Sequence, residues 1–269
     1  MGRRKKSKPN SNYLPNSFHQ NFSGYVTNTI PERDIQKLKN NKQPRGGNTV
    51  TDFTSWIYDS IIPERNYSQN IKDGKEGEKR VYEEIVDNID KSDDYFRRHY
   101  KGFLDNDWIL EYEDLSDEKK KTYKISRLKF NNNPIFGKPD IVYRNRKTND
   151  RIIIEVKSTN YYTNIPFGGW YNLQCQLWSY SHIDEFKDSN NIFLMGDIRI
   201  KRFNKRRVLY FYEKKIEYPP EYLYSHSGIY PRWRFIKEGK VNTNHENVNK
   251  FHEQCKMIFQ IYGGEYVDL

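Results

Sequence analysis

Cysteine is nearly absent from this sequence of 269 residues, which contains only Cys175 and Cys255. Two thiols cannot supply the ligands of a cysteine-rich zinc site or of a four-cysteine iron–sulfur cluster. Nor can they form the several cross-links of a disulfide scaffold. We therefore expect an intracellular protein, located in the cytoplasm, in the nucleus or in a virus-infected cell.

Long apolar segments are also missing, since hydrophobic residues make up 35% of the chain and the mean hydropathy is -1.05. No run approaches the roughly 20 apolar residues of a membrane-spanning helix. The basic N-terminus is followed by Pro, Asn and Ser instead of the apolar stretch of a signal peptide. We expect no membrane partner, and we expect the abundant aromatic residues to supply much of the core.

Positive charge is in excess, with 46 Lys and Arg against 36 Asp and Glu and a formal net charge of +10. Such a balance favours a polyanionic partner, because binding releases counterions from the polyanion. An unspecialised basic surface would give the same composition. Charge alone therefore makes a nucleic acid one candidate partner, and an oligomer or a protein partner stays open.

The chain divides by composition near residue 50. Residues 1–50 are rich in Asn, Ser, Pro and Lys with scattered apolar residues, so we expect a disordered basic tail. Its cluster at residues 3–8 is either a solvated charge run, a nuclear-import signal or a nucleic-acid arm. Residues 51–269 are expected to form one catalytic domain.

Helices are predicted where apolar residues recur at helical spacing. A short helix carries Phe53, Trp56, Ile57 and Ile61, and a second helix spans 74–90 behind the capping pair of Asp73 and Glu76. A third runs from about Phe167 to His182. A C-terminal amphipathic helix, from about Val248 to Tyr262, is stopped by the two glycines at 263 and 264.

Strands are predicted where short apolar runs are bounded by polar turns. An edge strand falls at Trp108–Leu110, and another strand falls at 123–130. Residues 140–143 and 151–158 form a strand pair around a polar turn. A second pair lies in 191–214, and its basic turn at 202–207 is a plausible phosphate contact. Residues 217–243 show no clear periodicity. The predicted class is α/β (α+β).

The run RIIIEVKS carries the first chemical signal. Because side chains alternate along a strand, Glu155 and Lys157 share one face with Ile153, while Ile152 and Ile154 lie on the other. A strand that is apolar on both faces is normally interior to a sheet, where charges are costly unless they are paired or bind something. A partly exposed Glu–Lys ion pair at the strand end is the alternative interpretation.

Asp140 begins the preceding strand, so antiparallel pairing would bring it to the same end of the sheet as Glu155. Two carboxylates at one point repel each other, and a hard divalent cation bound through oxygen relieves that repulsion. Mg²⁺ is the usual choice beside phosphate. Lys157 would point toward the same cavity.

These residues resemble a known superfamily. Pro139-Asp140, followed one hairpin later by Glu155-Val156-Lys157, is similar to the signature of PD-(D/E)XK nucleases. The resemblance implies a restriction-endonuclease-like fold, a central mixed β-sheet flanked by helices.

Glu78 lies on the buried stripe of the 74–90 helix, together with Val81, Tyr82 and Ile85. The spacing Gly74-x-x-x-Glu78 resembles the first-helix motif of RecB-type and lambda-exonuclease-like nucleases. In those enzymes the glutamate helps to hold a metal. The alternative is a helix-start glutamate that is merely favoured by the helix dipole.

Gln176 and Tyr180 lie four residues apart, on one face of the helix after the Glu155 strand. They resemble the Q-x-x-x-Y helix of RecB-type nucleases, in which the Gln and Tyr contact the site or the nucleic-acid backbone. Two amide side chains, Gln174 and Gln176, on a helix surface are the alternative.

The resemblance implies a mechanism and a cofactor. Mg²⁺, with Mn²⁺ as a substitute, would be held by Glu78, Asp140, Glu155 and the carbonyl of Val156. Lys157 would orient the attacking water or neutralise developing charge.

Since the four cluster cysteines of some relatives are missing, the cluster-free branch is implied. The expected function is a Mg²⁺-dependent, exonuclease-like enzyme of DNA processing, repair or recombination, in which the Gln and Tyr of the Q-x-x-x-Y helix position the strand. An endonuclease of the same fold and a non-catalytic nucleic-acid-binding protein are the alternatives.

Overall fold

The fold is of the mixed α/β class. A computed structural model describes residues 30–41, 47–61, 107–114, 121–159, 170–200, 205–214, 222–229, 236–242 and 245–268. In these ranges the helices are α1 (Glu32–Asn40), α2 (Val50–Ile61), α3 (Tyr171–Ser181) and α4 (His245–Ile261), with a 3-10 turn at Asp184–Phe186. The strands are β1 (Trp108–Glu113), β2 (Tyr123–Phe130), β3 (Asn133–Gly137), β4 (Ile141–Asn145), β5 (Arg151–Thr159), β6 (Asn191–Ile200), β7 (Lys205–Lys214), β8 (Tyr222–Ile229), β9 (Ile236–Asn242) and β10 (Gly264–Tyr266).

The larger sheet is mixed and has the strand order β1-β4-β5-β6-β7-β8-β9. Strands β5 and β6 are parallel and α3 lies between them in sequence, while the other neighbours are antiparallel. A parallel pair needs such a crossover because a tight turn cannot reverse the chain twice. The predicted pairs within 140–158 and 191–214 are confirmed, as is the edge strand at Trp108.

The turn between β4 and β5 explains why this hairpin forms where the sequence predicts it. The Asn145 side-chain oxygen accepts hydrogen bonds from the backbone N–H groups of Lys147 and Thr148, at 2.9 and 3.1 Å. Asn149 adopts a φ of 56°, a conformation that asparagine tolerates better than most residues. The turn fixes a register in which Ile141 pairs with Ile154.

Strand β5 is interior, as its apolar character on both faces predicts. Its four apolar residues, Ile152, Ile153, Ile154 and Val156, are each at most 2% exposed. Neighbouring strands cover both edges of β5, so its backbone is satisfied within the sheet. Any charged side chain on this strand must therefore find its partner inside the protein.

A second, antiparallel sheet has the order β10-β2-β3. Strand β2 matches the predicted strand at 123–130, but β3 and β10 were not predicted. The β2–β3 turn uses Asn131 and Asn132 with φ values of 50° and 63°, as a two-residue hairpin turn requires. Strand β3 leads through Lys138 and Pro139 directly to Asp140.

The core is strongly aromatic, as expected from the composition. The ring of Phe53 on α2 packs against Phe259 on α4, with ring centroids 5.0 Å apart, and against Tyr262 at 5.1 Å. The start of α2 is fixed by a reciprocal cap in which the Thr49 hydroxyl and the Asp52 carboxylate each bind the other residue's backbone N–H. Helix α4 ends before Gly263, which has a φ of 90°.

Helix α1 corrects the expectation of a disordered tail up to about residue 50. Leu38 is fully buried and Ile30 is 2% exposed. The backbone N–H of Ile30 also donates to Gln254 Oε1 on α4, at 2.8 Å. The segment has too few apolar residues to fold alone, but the domain surface supplies the partner that the sequence does not reveal. The expectation therefore does not hold for residues 30–41 and 47–50.

Three further predictions concern residues 217–243, the basic turn at 202–207 and the helix at 74–90. Strands β8 and β9 lie in 217–243, where the sequence shows no clear periodicity. Residues 205–207 of the predicted basic turn belong to β7, and 201–204 lie outside the described residues. The predicted helix at 74–90 also lies outside them. No helix in the ranges described above is long and apolar enough to span a membrane.

Candidate functional site

The ends of three neighbouring strands place Asp114, Asp140 and Glu155 side by side along the backbone. Because Ile141 pairs with Ile154, the next position along the register sets Asp140 opposite Glu155. On the other side of β4, Glu113 pairs with Ile141, and the backbone N–H of Asp114 donates to the Asp140 carbonyl at 2.9 Å. Residues opposite each other on adjacent strands project from the same face. The row therefore runs from Asp114 through Asp140 to Glu155.

Asp140 is tied to the end of β5. Its Oδ2 accepts a hydrogen bond from the backbone N–H of Val156 at 2.7 Å. In a strand, the N–H and the C=O of one residue point to the same neighbouring strand. The Val156 carbonyl is therefore directed to the same side as Asp140, past the start of β4.

Glu155 is almost completely buried, and its side chain is 3% exposed. Its Oε1 accepts hydrogen bonds from Lys157 Nζ at 2.7 Å and from Gln176 Nε2 at 2.6 Å. A buried carboxylate needs such charged and polar donors to offset its lost hydration. The Lys157 side chain is 23% exposed, so its ammonium reaches the solvent side of the site. The ion pair considered from the sequence is thus present, with its acidic partner buried.

Helix α3 packs against the sheet beside Glu155, at a position where the neighbouring strand carries a glycine. Gly196 on β6 pairs with Glu155 on β5. A Cβ added at Gly196 would lie 2.9 Å from Leu173 Cδ2 on α3. The absence of a side chain at Gly196 leaves room for Leu173, and Gln176 on the same helix lies within hydrogen-bonding distance of the carboxylate.

Gln176 and Tyr180 connect Glu155 to the segment that precedes Asp140. Gln176 Nε2 also donates to the Tyr180 hydroxyl at 3.1 Å, and that hydroxyl donates to the Lys138 carbonyl at 2.7 Å. Gln176 is 7% exposed and Tyr180 is 1% exposed. Of the two roles that the resemblance implies, this burial favours contact with the site over contact with a nucleic-acid backbone.

The electrostatics of the row are visible at Tyr180. Burial raises the pKa of this phenol well above its ordinary value of 10.0, and the nearby Glu155 carboxylate raises it further. Asp140 and Asp114 act in the same direction, whereas the hydrogen bond from Gln176 lowers the pKa. The phenol therefore keeps its proton and remains a donor to the Lys138 carbonyl.

This raised pKa predicts a loss of stability in alkali. Unfolded tyrosine ionises near pH 10, while folded Tyr180 keeps its proton, so the folded state binds more protons above pH 10. Stability is then fully present below pH 10 and falls as the pH rises further. Chemical denaturation from pH 9 to 11 should show that the free energy of unfolding falls less steeply for Tyr180→Phe than for the wild-type protein. The difference in slope is expected to reach up to about 1.4 kcal/mol per pH unit. Parallel curves for the two proteins would contradict the assignment.

Two further acidic residues, Glu78 and Asp114, differ in how the sequence predictions treated them. Glu78, predicted as a metal ligand, lies outside the described residues. Asp114 was not singled out, although its position directly after an edge strand was a usable signal. The Tyr112 hydroxyl lies 3.3 Å from Asp114 Oδ1. Burial raises the pKa of Tyr112, and the charges of Asp114 and Asp140 raise it further.

The donor set is chemically suited to a hard cation, since carboxylate and carbonyl oxygens are the ligands that Mg²⁺ prefers. In the part of the chain that the structure describes, no three His, Cys, Asp or Glu residues are grouped so as to hold a metal ion. Two carboxylates, Asp140 and Glu155, and the Val156 carbonyl are the candidate ligands there. No protein-family model, curated protein or solved structure matches this chain.

Proposed function

We propose that this chain is a Mg²⁺-dependent nuclease of the PD-(D/E)XK type that hydrolyses phosphodiester bonds in DNA. One observation carries the proposal: Asp140 accepts a hydrogen bond from the backbone N–H of Val156, the residue next to Glu155, and Lys157 is paired with Glu155. The residues of the motif, which are separated in sequence by the β4–β5 turn, meet at one end of this hairpin.

The architecture supports a restriction-endonuclease-like fold. The motif hairpin is internal to a mixed sheet, between edge strand β1 and the parallel strand β6. Helix α3 packs on the face that carries Glu155, as its hydrogen bond through Gln176 requires. A central mixed sheet flanked by helices is what the motif resemblance implies for this family.

Asp140, Glu155 and the Val156 carbonyl would hold the cation, with Glu78 as the further ligand that the resemblance implies. When bound, Mg²⁺ supplies Lewis-acid activation of water and neutralises charge on the phosphate. The protein holds the ligands in place beforehand: the Val156 N–H orients Asp140, and Gln176 orients Glu155. Such preorganisation is how a site avoids reorganisation during the reaction.

Lys157 contributes a compact ammonium at the rim of the site. It is bonded to Glu155 Oε1, and 23% of its side chain is exposed. An ammonium has three donors, so one can remain on Glu155 while another meets a phosphate oxygen or orients the attacking water. A site for a dianionic transition state benefits from a positive charge held in this manner.

The net charge of +10 supports a nucleic-acid substrate. A protein that only bound nucleic acid would gain nothing from a row of carboxylates near phosphate. We propose an exonuclease-like role in DNA processing, repair or recombination, on the basis of the Gln176 and Tyr180 motif. An endonuclease with the same chemistry is the alternative, and it differs only in substrate.

A cleavage assay tests the proposal. Purified protein is incubated with end-labelled linear DNA, closed circular DNA and RNA, in Mg²⁺, Mn²⁺ or EDTA. We expect DNA cleavage in Mg²⁺ or Mn²⁺ and none in EDTA, because the metal supplies the activated water. Resistance of circular DNA identifies an exonuclease, and cutting of circles identifies an endonuclease. Inactivity in both metals, or equal cleavage in EDTA, contradicts the proposal.

A further inference from the structure

The outer face of the second sheet exposes an aromatic ring. Phe136 on β3 is 37% exposed, whereas its neighbours Ile135 and Gly137 are buried. Among the residues whose side-chain burial the structure describes, Leu110 is the other large hydrophobic side chain with comparable exposure, at 39%. Leu110 lies on β1, in the other sheet. Single exposed apolar side chains are common on protein surfaces, so the charged residues beside this ring decide what it can bind.

One basic side chain lies opposite this ring, and a second lies further along the same strand pair. Lys124 on β2 is exposed and lies directly opposite Phe136 in the register, and Lys129 is opposite Pro134. In the residues that the structure describes, neither lysine forms an ion pair. Glu265 on β10, opposite Lys129, is the acidic residue of this face. Within the described ranges, the ring therefore lies beside a lysine, Lys124, that forms no ion pair with a described carboxylate.

The ring is also close to the candidate site along the chain. Phe136 and Asp140 are four positions apart in sequence, which places their Cα atoms at most about 14 Å apart. Two hydrogen bonds hold the segment from Phe136 to Lys138. The Lys138 carbonyl accepts a hydrogen bond from Tyr180, and the Phe136 N–H donates to the Asn48 carbonyl at 2.9 Å. A stacked strand rises about 3.4 Å per nucleotide, so the interval spans at most about four nucleotides.

We infer that Phe136 and Lys124 form a stacking platform for single-stranded nucleic acid that leads to the site at Asp140. This inference rests on the proposed function for its substrate. An aromatic face accepts any base, and the adjacent lysine meets the phosphate. Bases within a duplex are already stacked on each other, so a side-chain ring on a flat surface reaches only unpaired bases. DNA and RNA strands share this chemistry.

The test is a binding measurement that does not depend on cleavage. Fluorescence anisotropy in EDTA compares labelled oligo-dT, oligo-U and a DNA duplex of equal length. Phe136→Ala should weaken binding of single strands by about tenfold or more and change duplex binding little. Phe136→Trp should retain the affinity. Lys124→Ala should weaken binding and make its salt dependence shallower by about 0.7 in the log–log slope.

Leu110→Ala is the matched control, because it removes a similarly exposed apolar side chain from the other sheet. The inference is overturned if Phe136→Ala binds single strands as Leu110→Ala does, if duplex affinity falls equally, or if the wild-type protein binds no single strand. Since EDTA removes the metal, a protein that never cleaves DNA can still confirm the platform. A protein that cleaves normally without any effect of Phe136→Ala retains the proposed function and loses this inference.

Discussion

Replacing Asp140 with asparagine is expected to reduce Mg²⁺-dependent cleavage by about a thousandfold or more. The amide oxygen of asparagine can still accept the Val156 N–H bond, so the β4–β5 end keeps its geometry. Only the negative charge and one oxygen donor to the cation are lost. Initial cleavage rates measured at saturating Mg²⁺, with circular dichroism to verify the fold, give the result.

Lys157→Ala should remove activity to a similar extent, since the ammonium is the positive charge at this rim. It also deprives buried Glu155 of its charged donor, while the hydrogen bond from Gln176 remains. Breaking a buried pair from one side is destabilising, and we expect a cost of about 1–3 kcal/mol because Lys157 is partly exposed. Urea denaturation measures this second effect separately from cleavage.

Matched substitutions elsewhere separate the site from general charge effects. Lys147→Ala removes an exposed lysine at the opposite end of the same hairpin, where it pairs with Asp107 at 2.8 Å. Asp188→Asn removes an exposed carboxylate from a turn. Both variants should cleave at nearly the wild-type rate. Retained cleavage by Asp140→Asn or Lys157→Ala would refute the site assignment.

Gly137→Ala is expected to damage stability and activity together. A Cβ at this position would lie 2.6 Å from Tyr180 Cε1 and 2.9 Å from Val50 Cγ2. Tyr180 is held by two hydrogen bonds, so its ring cannot move without releasing the Lys138 carbonyl. Overpacking of this kind costs about 1–3 kcal/mol. Because Asp140 follows three residues later, we also expect a fall of about tenfold in kcat.

Gly264→Ala is the control for this result. Its added Cβ would lie 2.3 Å from Phe259 Cε1, an even closer contact, but in the interface of β10 and α4 away from the motif. Thermal unfolding should show a comparable loss of stability for both variants. At a temperature where both are folded, only Gly137→Ala should have a reduced kcat. Equal rates for the two would show that Tyr180 does not position the site.

The β4–β5 hairpin was predictable because every local feature agreed. Apolar runs lie on each side of a polar turn, and Asn145 and Asn149 supply the side-chain bonds and the positive φ that the turn needs. Strand alternation then assigned Glu155 and Lys157 to one face. These are short-range consequences of steric and hydrogen-bonding rules, so the sequence alone suffices for them.

The partners of Glu155 and Asp140 were harder to predict from the sequence. Gln176 was singled out by its spacing, but its bond to Glu155 depends on how closely α3 approaches the sheet, which Gly196 permits. Asp114 joins the row because β1 pairs with β4, a choice among many strand pairings. Such long-range pairing leaves no local periodic signal.

Helix α1 is a second case in which long-range contacts decide a structure that the sequence does not predict. Its composition is typical of a disordered segment, yet Leu38 is fully buried in the domain. Strands β8 and β9 likewise form where no periodicity was visible. A segment with few apolar residues is ordered by the surface that receives it, and that surface exists only after the rest has folded.

The sequence by itself determined the mixed α/β class, the motif hairpin and the residues Asp140, Glu155 and Lys157 on it, since these follow from periodicity and turn chemistry. Tertiary structure alone decided that Asp114 completes the row, that Gln176 binds Glu155 and that Tyr180 binds the Lys138 carbonyl. The physical reason is the separation in sequence over which each interaction acts. Backbone sterics act between neighbours in sequence, whereas the bonds that fix this site join residues 16 to 42 positions apart.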